Sequence, residues 1–402
     1  MGGVILPPAA WRERPGLARL IAALGPGTAR IVGGAVRDTL LGQDTADIDL
    51  ATTHDPQAVI ALLEAARIKA VPTGIKHGTI TAVANDEVYE VTTLRRDVET
   101  DGRHATVAFT DDWREDAARR DFTINALYAD PATGAVFDYF GGLGDLERRH
   151  IRFIGDPLVR IAEDHLRILR FFRFLARFGD SPDPVGLAAC TARANDLMAL
   201  SRERIANELL RLLVAPRAVE VVALMLAHGI LTPVLPEIVD TSLLARVVEL
   251  EEAAELPPDP IRRLAALMSR NAKAAEDVGS RLKLSNAQRK QLSSAMIPSF
   301  GSPHELAYRF GRQAATDRWL LTIEENFDAV IGARHLQNMK IPVFPLTGGQ
   351  LVARGITAGP DVARTLRAIE DRWIAEGFPD AVRVGVIADD AVAQTLAAIR
   401  KA

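Results

Sequence analysis

The stretch Ala29-Arg30-Ile31-Val32-Gly33-Gly34-Ala35-Val36-Arg37-Asp38 runs through a short polar connection into Asp47-Ile48-Asp49-Leu50. It reads as a short strand, a glycine turn, one or two helical turns ending at Gly42, and then a second strand. Side chains alternate along a strand, so Asp47 and Asp49 project from one face while Ile48 and Leu50 point to the core. Working outward, a helix is predicted from Pro56 to about Ala66, and strands around His77–Val83 and Val88–Thr93 are joined by the hairpin signal Asn85-Asp86-Glu87. The polar segment Arg95 to His104, with Gly102 near its tip, reads as a mobile loop between strands. This is a small mixed α/β head.

From about Pro157 the strand signals nearly vanish and a helical period takes over, with breaks at Ser181-Pro182-Asp183-Pro184 and at Leu256-Pro257-Pro258-Asp259-Pro260. The fold class is therefore α+β, a mixed head followed by a mostly helical remainder. At 402 residues the chain exceeds one ordinary core, and 48% hydrophobic with 25% charged residues excludes collagen-like, low-complexity and disordered classes. Its one cysteine, Cys190, excludes an internal disulfide framework and fits a reducing compartment, for which the cytoplasm is the expectation. No apolar run reaches the length of a bilayer span, and no basic flank with an apolar run marks the N-terminus as a secretion signal, so no membrane partner is expected. Residues 1–150 carry 16 Lys/Arg against 22 Asp/Glu, whereas 261–340 carry 13 against 7, an asymmetry that suits an acidic metal site in front and a phosphate-binding surface behind.

Two carboxylates held as close as Asp47 and Asp49 repel unless a cation lies between them, and hard oxygen donors few in number describe a Mg²⁺ site for phosphoryl transfer. Just upstream, Gly33 and Gly34 leave room for backbone N–H groups to meet a phosphate, and Arg37 adds a fixed positive charge. No G-x-x-x-x-G-K-[ST] and no G-x-G-x-x-G run occurs, so P-loop and dinucleotide-binding readings lack support. Arg119-Arg120-Asp121-Phe122-Thr123-Ile124-Asn125 places Arg120 to touch phosphate or ribose, and Asp121 is read either as a backbone-ordering group or as half of a structural ion pair. On a helix, Asp164, Arg167 and Arg170 fall along one row with Ile168, Leu169 and Phe172 packing behind; a surface ion pair of Glu163 with Arg167 is the alternative reading.

These motifs, with Leu41-Gly42, Gly155-Asp156-Pro157-Leu158-Val159-Arg160 and Ser201-Arg202-Glu203-Arg204-Ile205-Ala206-Asn207-Glu208, resemble in their order those of class II tRNA nucleotidyltransferases and bacterial poly(A) polymerases. The likeness spans roughly residues 25–210; the stretches Phe344–Gly349 and Gly355–Pro360 resemble the family's C-terminal region more loosely. It implies a DNA-polymerase-β-like nucleotidyltransferase head over 1–150, a base-recognising helical neck over 151–217, and a tRNA-binding body and tail over 218–402. It further implies that Asp47 and Asp49 bind Mg²⁺, with Glu90 a candidate third ligand. Gly33, Gly34, Arg37 and Arg120 would meet the triphosphate; Asp164 and Arg167 would read the base, supported by Arg170 and Arg173.

Base reading by such a pair makes chemical sense. Cytosine and adenine both present an amine donor beside an unprotonated ring nitrogen, whereas uracil and guanine present a carbonyl beside an N–H. An Asp acceptor next to an Arg donor fits the first pair and mismatches the second. The expected reaction is CCA addition to tRNA 3′ ends from CTP and ATP, with poly(A) or A-only addition, and a catalytically silent RNA-binding fold, as alternatives. The mixed charge of the last forty residues favours tRNA over varied RNAs, and the Arg95–His104 segment resembles a flexible loop kept by relatives that complete CCA. Gln43-Asp44-Thr45-Ala46 lacks the basic residue many relatives carry, the isolated His54-Asp55 pair reads as a helix-start turn rather than a phosphohydrolase motif, and His77 reads as structural.

Overall fold

The structure is a computed structural model describing residues 3–45, 47–100, 105–298 and 300–401. The head is built on a seven-stranded mixed sheet of order β3-β4-β5-β2-β1-β8-β9. Its strands are β1 (Ala29–Val32), β2 (Asp49–Thr52), β3 (Lys69–Gly74), β4 (Thr79–Ala84), β5 (Glu87–Thr93), β8 (Leu127–Ala129) and β9 (Val136–Asp138), while β6 (Arg95–Thr100) and β7 (Ala105–Phe109) form a separate antiparallel ribbon. At the centre, β2 runs antiparallel to β1, with Val32 opposite Asp49, and parallel to β5, with Asp49 opposite Glu90. The β4–β5 hairpin turns at Asn85 and Asp86, both at positive φ (52° and 62°), a geometry that matches the strand twist and that Asn and Asp tolerate.

Two expectations need correction. The strand expected over Asp47–Leu50 begins only at Asp49, although Ile48 and Leu50 are buried and both Asp side chains face the other way. The loop expected over Arg95–His104 is for the most part a strand, β6, paired with β7 from Arg95 opposite Phe109 onward; residues 101–104, with Gly102 and His104, lie outside the described residues. Polarity pointed to a loop there, but the ribbon is held by backbone pairing between β6 and β7, which polar side chains do not prevent.

Helices α1 (Pro15–Leu24) and α3 (Pro56–Ala65) pack together and against β4. Asp55 caps α3, its Oδ1 accepting from the Ala58 N–H at 2.8 Å with Pro56 in the first turn, so His54-Asp55 is a helix start. His77 sits in a single 3₁₀ turn and contributes its carbonyl to Arg95. After α2 (Gly34–Leu40), α4 (Trp113–Ala118) and α5 (Gly142–Glu147) come α6 (Pro157–Glu163), α7 (Arg167–Phe178), α8 (Pro184–Ala192) and α9 (Arg202–Leu213). Helix α7 is two-faced: Phe171, Phe172, Phe174 and Phe178 are buried while its arginines line the opposite side. Phe171 stacks on Phe153 at 5.5 Å between centroids, and Phe122 packs on Phe153, Phe171 and Phe174. Each such ring contributes about 1.5–3 kcal/mol of burial, so α7 is fixed to the segment that carries Arg120 and Asp121.

The chain divides into two compact units. The first holds residues 1–242 with 267–269 and 277–285; the second holds 243–266, 270–276 and 286–402. In the second unit Trp319 packs in a core with Leu320, Ala329, Ala333 and Leu336. Buried ion pairs join Glu251 to Arg262 (2.6 Å) and Arg263 (2.7 Å), and Arg262 to Asp317 (2.8 Å). A further core gathers Leu351, Ile369, Trp373 and Ile387. Among the described residues no helix is long and apolar enough to cross a membrane, and the unpaired Cys190 is buried, which pushes its thiol pKa up.

Candidate active site

The turn after β1 sets the first wall. Gly33 has φ 69° and ψ −120°, a conformation essentially confined to glycine, and its N–H donates to the Leu127 carbonyl of β8 at 3.1 Å. A Cβ on Gly33 would be in ordinary contact with Arg120 Nη1 at 3.5 Å, so it is the positive φ and not crowding that calls for glycine here. From α2, Arg37 is held by Asp38 at 2.7 Å, donates to Asn125 Oδ1, and lies 4.1 Å over the Phe178 ring. Burial lowers its pKa, with Asp38 pulling the other way, so it stays a cation fixed in direction.

Asp49 opens β2, with Glu90 beside it across the parallel pairing. Burial first, then Glu90, raises its carboxyl pKa; Asp47 adds to the rise and Arg120 opposes it. Arg120 itself is braced by the phenol of Tyr128 at 3.1 Å and by Asp116 at 3.2 Å. Asp116 also accepts from Tyr128 OH at 2.6 Å and pairs with Arg119 at 2.7 Å. Against the upward push of burial, Arg120 and Arg119 hold its pKa down to about 2.

Asp121 resolves as half of an ion pair. It accepts from Arg170 Nε at 2.7 Å, from the Phe122 N–H at 2.9 Å and from Asn125 Nδ2 at 3.1 Å. Arg170 and, against burial, Asn125 lower its pKa. Further along α7, Arg173 Nε meets Glu208 of α9 at 2.5 Å, and Arg177 lies 3.7 Å from Asp38.

The helical row expected for Asp164, Arg167 and Arg170 is broken at its start. Asp164 is extended (φ −152°, ψ 108°) between α6 and α7. Its Oδ1 accepts from the Leu166 N–H at 3.1 Å and its carbonyl from the Arg167 N–H at 3.0 Å, a local turn that starts α7 instead of continuing α6. Its Oδ2 accepts from Arg204 of α9 at 2.7 Å. Arg167 pairs with Glu163, as the alternative reading had it, and donates to the carbonyls of Arg160 (2.8 Å) and Arg119 (3.1 Å). These bonds use three of its five N–H donors, and each Asp164 oxygen retains a lone pair.

One cavity of about 610 Å³, within the first unit, gathers these groups. Gly33, Gly34, Arg37, Asp47, Asp49, Arg120, Asp164, Arg167, Arg170 and Arg173 all line it, whereas Glu90 does not. Sequence reasoning missed Arg211, which also lines it, and missed Asp116 and Arg204 as braces of Arg120 and Asp164. Arg211 follows Glu208 by one helical turn, a spacing that would have flagged it. Among the described residues no three or more His, Cys, Asp or Glu are gathered as a metal cage. Asp47 and Asp49 alone still suit a hard divalent cation: two carboxylates at the rim, one with a raised pKa, share a negative field that Arg120 only partly offsets.

Two family models match the chain, the poly A polymerase head domain over residues 29–152 and the probable RNA and SrmB-binding site of polymerase A over 181–241. The mitochondrial CCA tRNA nucleotidyltransferase 1 of Danio rerio is 36% identical over 361 residues, covering 86% of this chain and 83% of its own length. This chain belongs to the CCA tRNA nucleotidyltransferase family. The human member of that name is likewise 36% identical, over 372 residues that make up 87% of this chain and 83% of the relative. Among solved structures, the Bacillus stearothermophilus CCA-adding enzyme in complex with CTP aligns with TM-score 0.70 at 28% identity, over 90% of this chain and 94% of that one. The chain is thus a nucleotidyltransferase, and the family is one of divalent-metal enzymes.

Proposed function

We infer that this enzyme adds C, C and A to tRNA 3′ ends from CTP and ATP without a nucleic-acid template. The observation that supports this most is the meeting, in one cavity, of the acid pair Asp47 and Asp49 with the acceptor–donor pair Asp164 and Arg167. A silent RNA-binding fold has no physical reason to hold both beside seven arginines.

Asp47 and Asp49 hold the divalent cation, which we assign as Mg²⁺, and Glu90 deepens the field from β5. When bound, that metal activates the primer hydroxyl and neutralises charge on the phosphates. The Gly34 backbone, Arg37 and Arg120 hold the triphosphate, and their fixed positions offset the charge that develops during transfer. The 3′-oxygen of the RNA bonds to the α-phosphorus, the bond to the β-phosphate bridging oxygen breaks, pyrophosphate leaves and the hydroxyl proton passes to solvent. Asp164 accepts from the exocyclic amine of C or A, and Arg167 donates one of its two remaining N–H groups to the adjacent ring nitrogen. U and G would leave both groups opposed by like partners, a mismatch of the kind that discriminates by about 10⁴. Arg170 and Arg173, steadied by Asp121 and Glu208, add positive charge beside the base.

In this reading residues 1–150 carry catalysis, 151–217 base recognition and 218–402 tRNA binding. A reducing cytoplasm remains the assigned compartment, supported by the unpaired, buried Cys190, although the animal relatives carry "mitochondrial" in their names.

The test is to incubate the protein with Mg²⁺, a tRNA transcript lacking its 3′ CCA, and CTP or ATP singly and together, resolving products to the nucleotide. Ordered addition that stops after C-C-A is expected, and lost in Asp49→Ala with tRNA binding retained. A ladder of A, a single A on CC-ended tRNA alone, or no extension would each replace the reading, respectively by poly(A) synthesis, A addition or a silent fold.

A further inference from the structure

The second unit carries a side-chain pair that nucleotide transfer does not use. His304, on the helix Pro303–Phe310, and His335, on the helix Asn326–Asn338, approach with their Nε2 atoms 3.3 Å apart. The rings are 4.6 Å apart between centroids and tilted by 57°, so they neither stack nor lie in one plane. Phe378 packs against His304 at 6.0 Å between centroids, limiting its swing, while His335 is exposed.

The separation is informative. At 3.3 Å the pair is in hydrogen-bond contact, one ring nitrogen donating and the other accepting according to tautomer. Two imidazole nitrogens bound to one Zn²⁺ at about 2.0–2.1 Å with a tetrahedral angle between them lie about 3.3–3.4 Å apart. The nitrogen spacing thus also matches the bite of a tetrahedral metal, which would take the place of the shared proton once the rings turn slightly toward it, and the two rings come from different helices. The neighbouring Glu305 is engaged by Arg309 at 3.0 Å, so the protein offers two nitrogens and leaves the remaining positions to solvent at the exposed side.

We propose that His304 and His335 form a surface site for a borderline divalent transition metal, Zn²⁺, Cu²⁺ or Ni²⁺. Imidazole pairs select such ions over Mg²⁺, whereas the carboxylates Asp47 and Asp49 select the reverse, so one chain holds two chemically separate metal sites. Occupancy bridges two helices flanking Arg312–Thr322, and anything that binds the folded state alone stabilises it. The proposal does not rest on the assigned reaction.

The experiment uses the full chain in excess Mg²⁺, which keeps the carboxylates occupied. Zn²⁺ is titrated by calorimetry, and Cu²⁺ at one equivalent is examined by electron paramagnetic resonance. Expected are one Zn²⁺ site, weakened about tenfold or more in His335→Ala and in His304→Gln, and a copper spectrum with coupling to two nitrogens that falls to one in either variant. Unchanged Zn²⁺ affinity in both variants, or a copper spectrum without two coordinated nitrogens, would show the pair to be two neighbouring side chains and no metal site. His335→Ala alters an exposed residue, so at least one variant reports on a folded protein.

Discussion

Replacing Asp116 by Asn removes a charge from behind the cavity without touching its lining. Asp116 is 1% exposed and binds Arg119, Arg120 and the Tyr128 phenol. Its carboxyl falls from 3.8 to about 2, because Arg120 and Arg119 outweigh the burial that would raise it. At ~1.4 kcal/mol per pH unit this corresponds to about 2 kcal/mol of folding free energy at pH 7. Removing one member of a buried ion pair costs about 3–5 kcal/mol, and an Asn that still accepts one hydrogen bond should fall toward the lower end. Because the folded pKa is depressed, this stabilisation is fully present above the ordinary carboxylate range and is lost as pH falls through about 2; about half remains at pH 3. Urea unfolding followed by circular dichroism should therefore show a wild-type advantage of about 2–3 kcal/mol at pH 7 that narrows clearly by pH 3. Arg120 also loses its carboxylate brace, so the KM for nucleotide should rise about tenfold with base choice intact. A gap below about 0.5 kcal/mol at pH 7, or one equally wide at pH 3, would refute the assignment of Asp116 as the charge that anchors Arg120.

Asp49→Asn should have opposite effects on activity and stability. Its carboxyl pKa is raised by burial and by Glu90, so the folded chain bears a cost above pH 3.8 that Asn removes; melting temperature should rise at pH 7, the gain should vanish in acid, and transfer should fall by about 10³ or more. Arg167→Ala should leave helix content unchanged while C and A lose their advantage over U and G in single-turnover incorporation; unchanged selection would remove Arg167 from base reading. Gly332→Ala puts a Cβ 2.3 Å from the Trp319 ring, and overpacking of about 1–3 kcal/mol should appear as a lower melting temperature with the first unit's nucleotide affinity unchanged.

The parts of the fold that the sequence made legible are those where local pattern and tertiary role agree. Val32 into Gly33 and Gly34 is strand, turn and helix whatever surrounds it, and the alternation at Asp47-Ile48-Asp49-Leu50 correctly assigned faces although the strand starts later. The arginines of α7 were legible because the phenylalanines behind them fix the helix's rotation. The ribbon Arg95–Phe109 was not, since the polar run Arg95-Arg96-Asp97-Val98-Glu99-Thr100 carries no apolar alternation to mark it as a strand. Asp164 misled because its spacing to Arg167 fits a helix, and only the turn formed by its own carboxylate breaks the run. Asp116 and Arg204 were invisible for a different reason: each acts through a partner whose closeness is decided by packing.

Five of the seven arginines lining the cavity hold close internal counterions before any substrate arrives. Arg37 has Asp38, Arg120 has Asp116, Arg167 has Glu163, Arg170 has Asp121 and Arg173 has Glu208. The site therefore resembles an ion-exchange resin supplied in its salt form. A nucleotide competes chiefly with carboxylates tethered to the chain and displaces few ions from solution, so its affinity should change less steeply with ionic strength than seven bare guanidinium groups would dictate. The same tethered carboxylates are there to reclaim the arginines when pyrophosphate departs, so the cavity returns to its starting charge state without waiting for anions from solution.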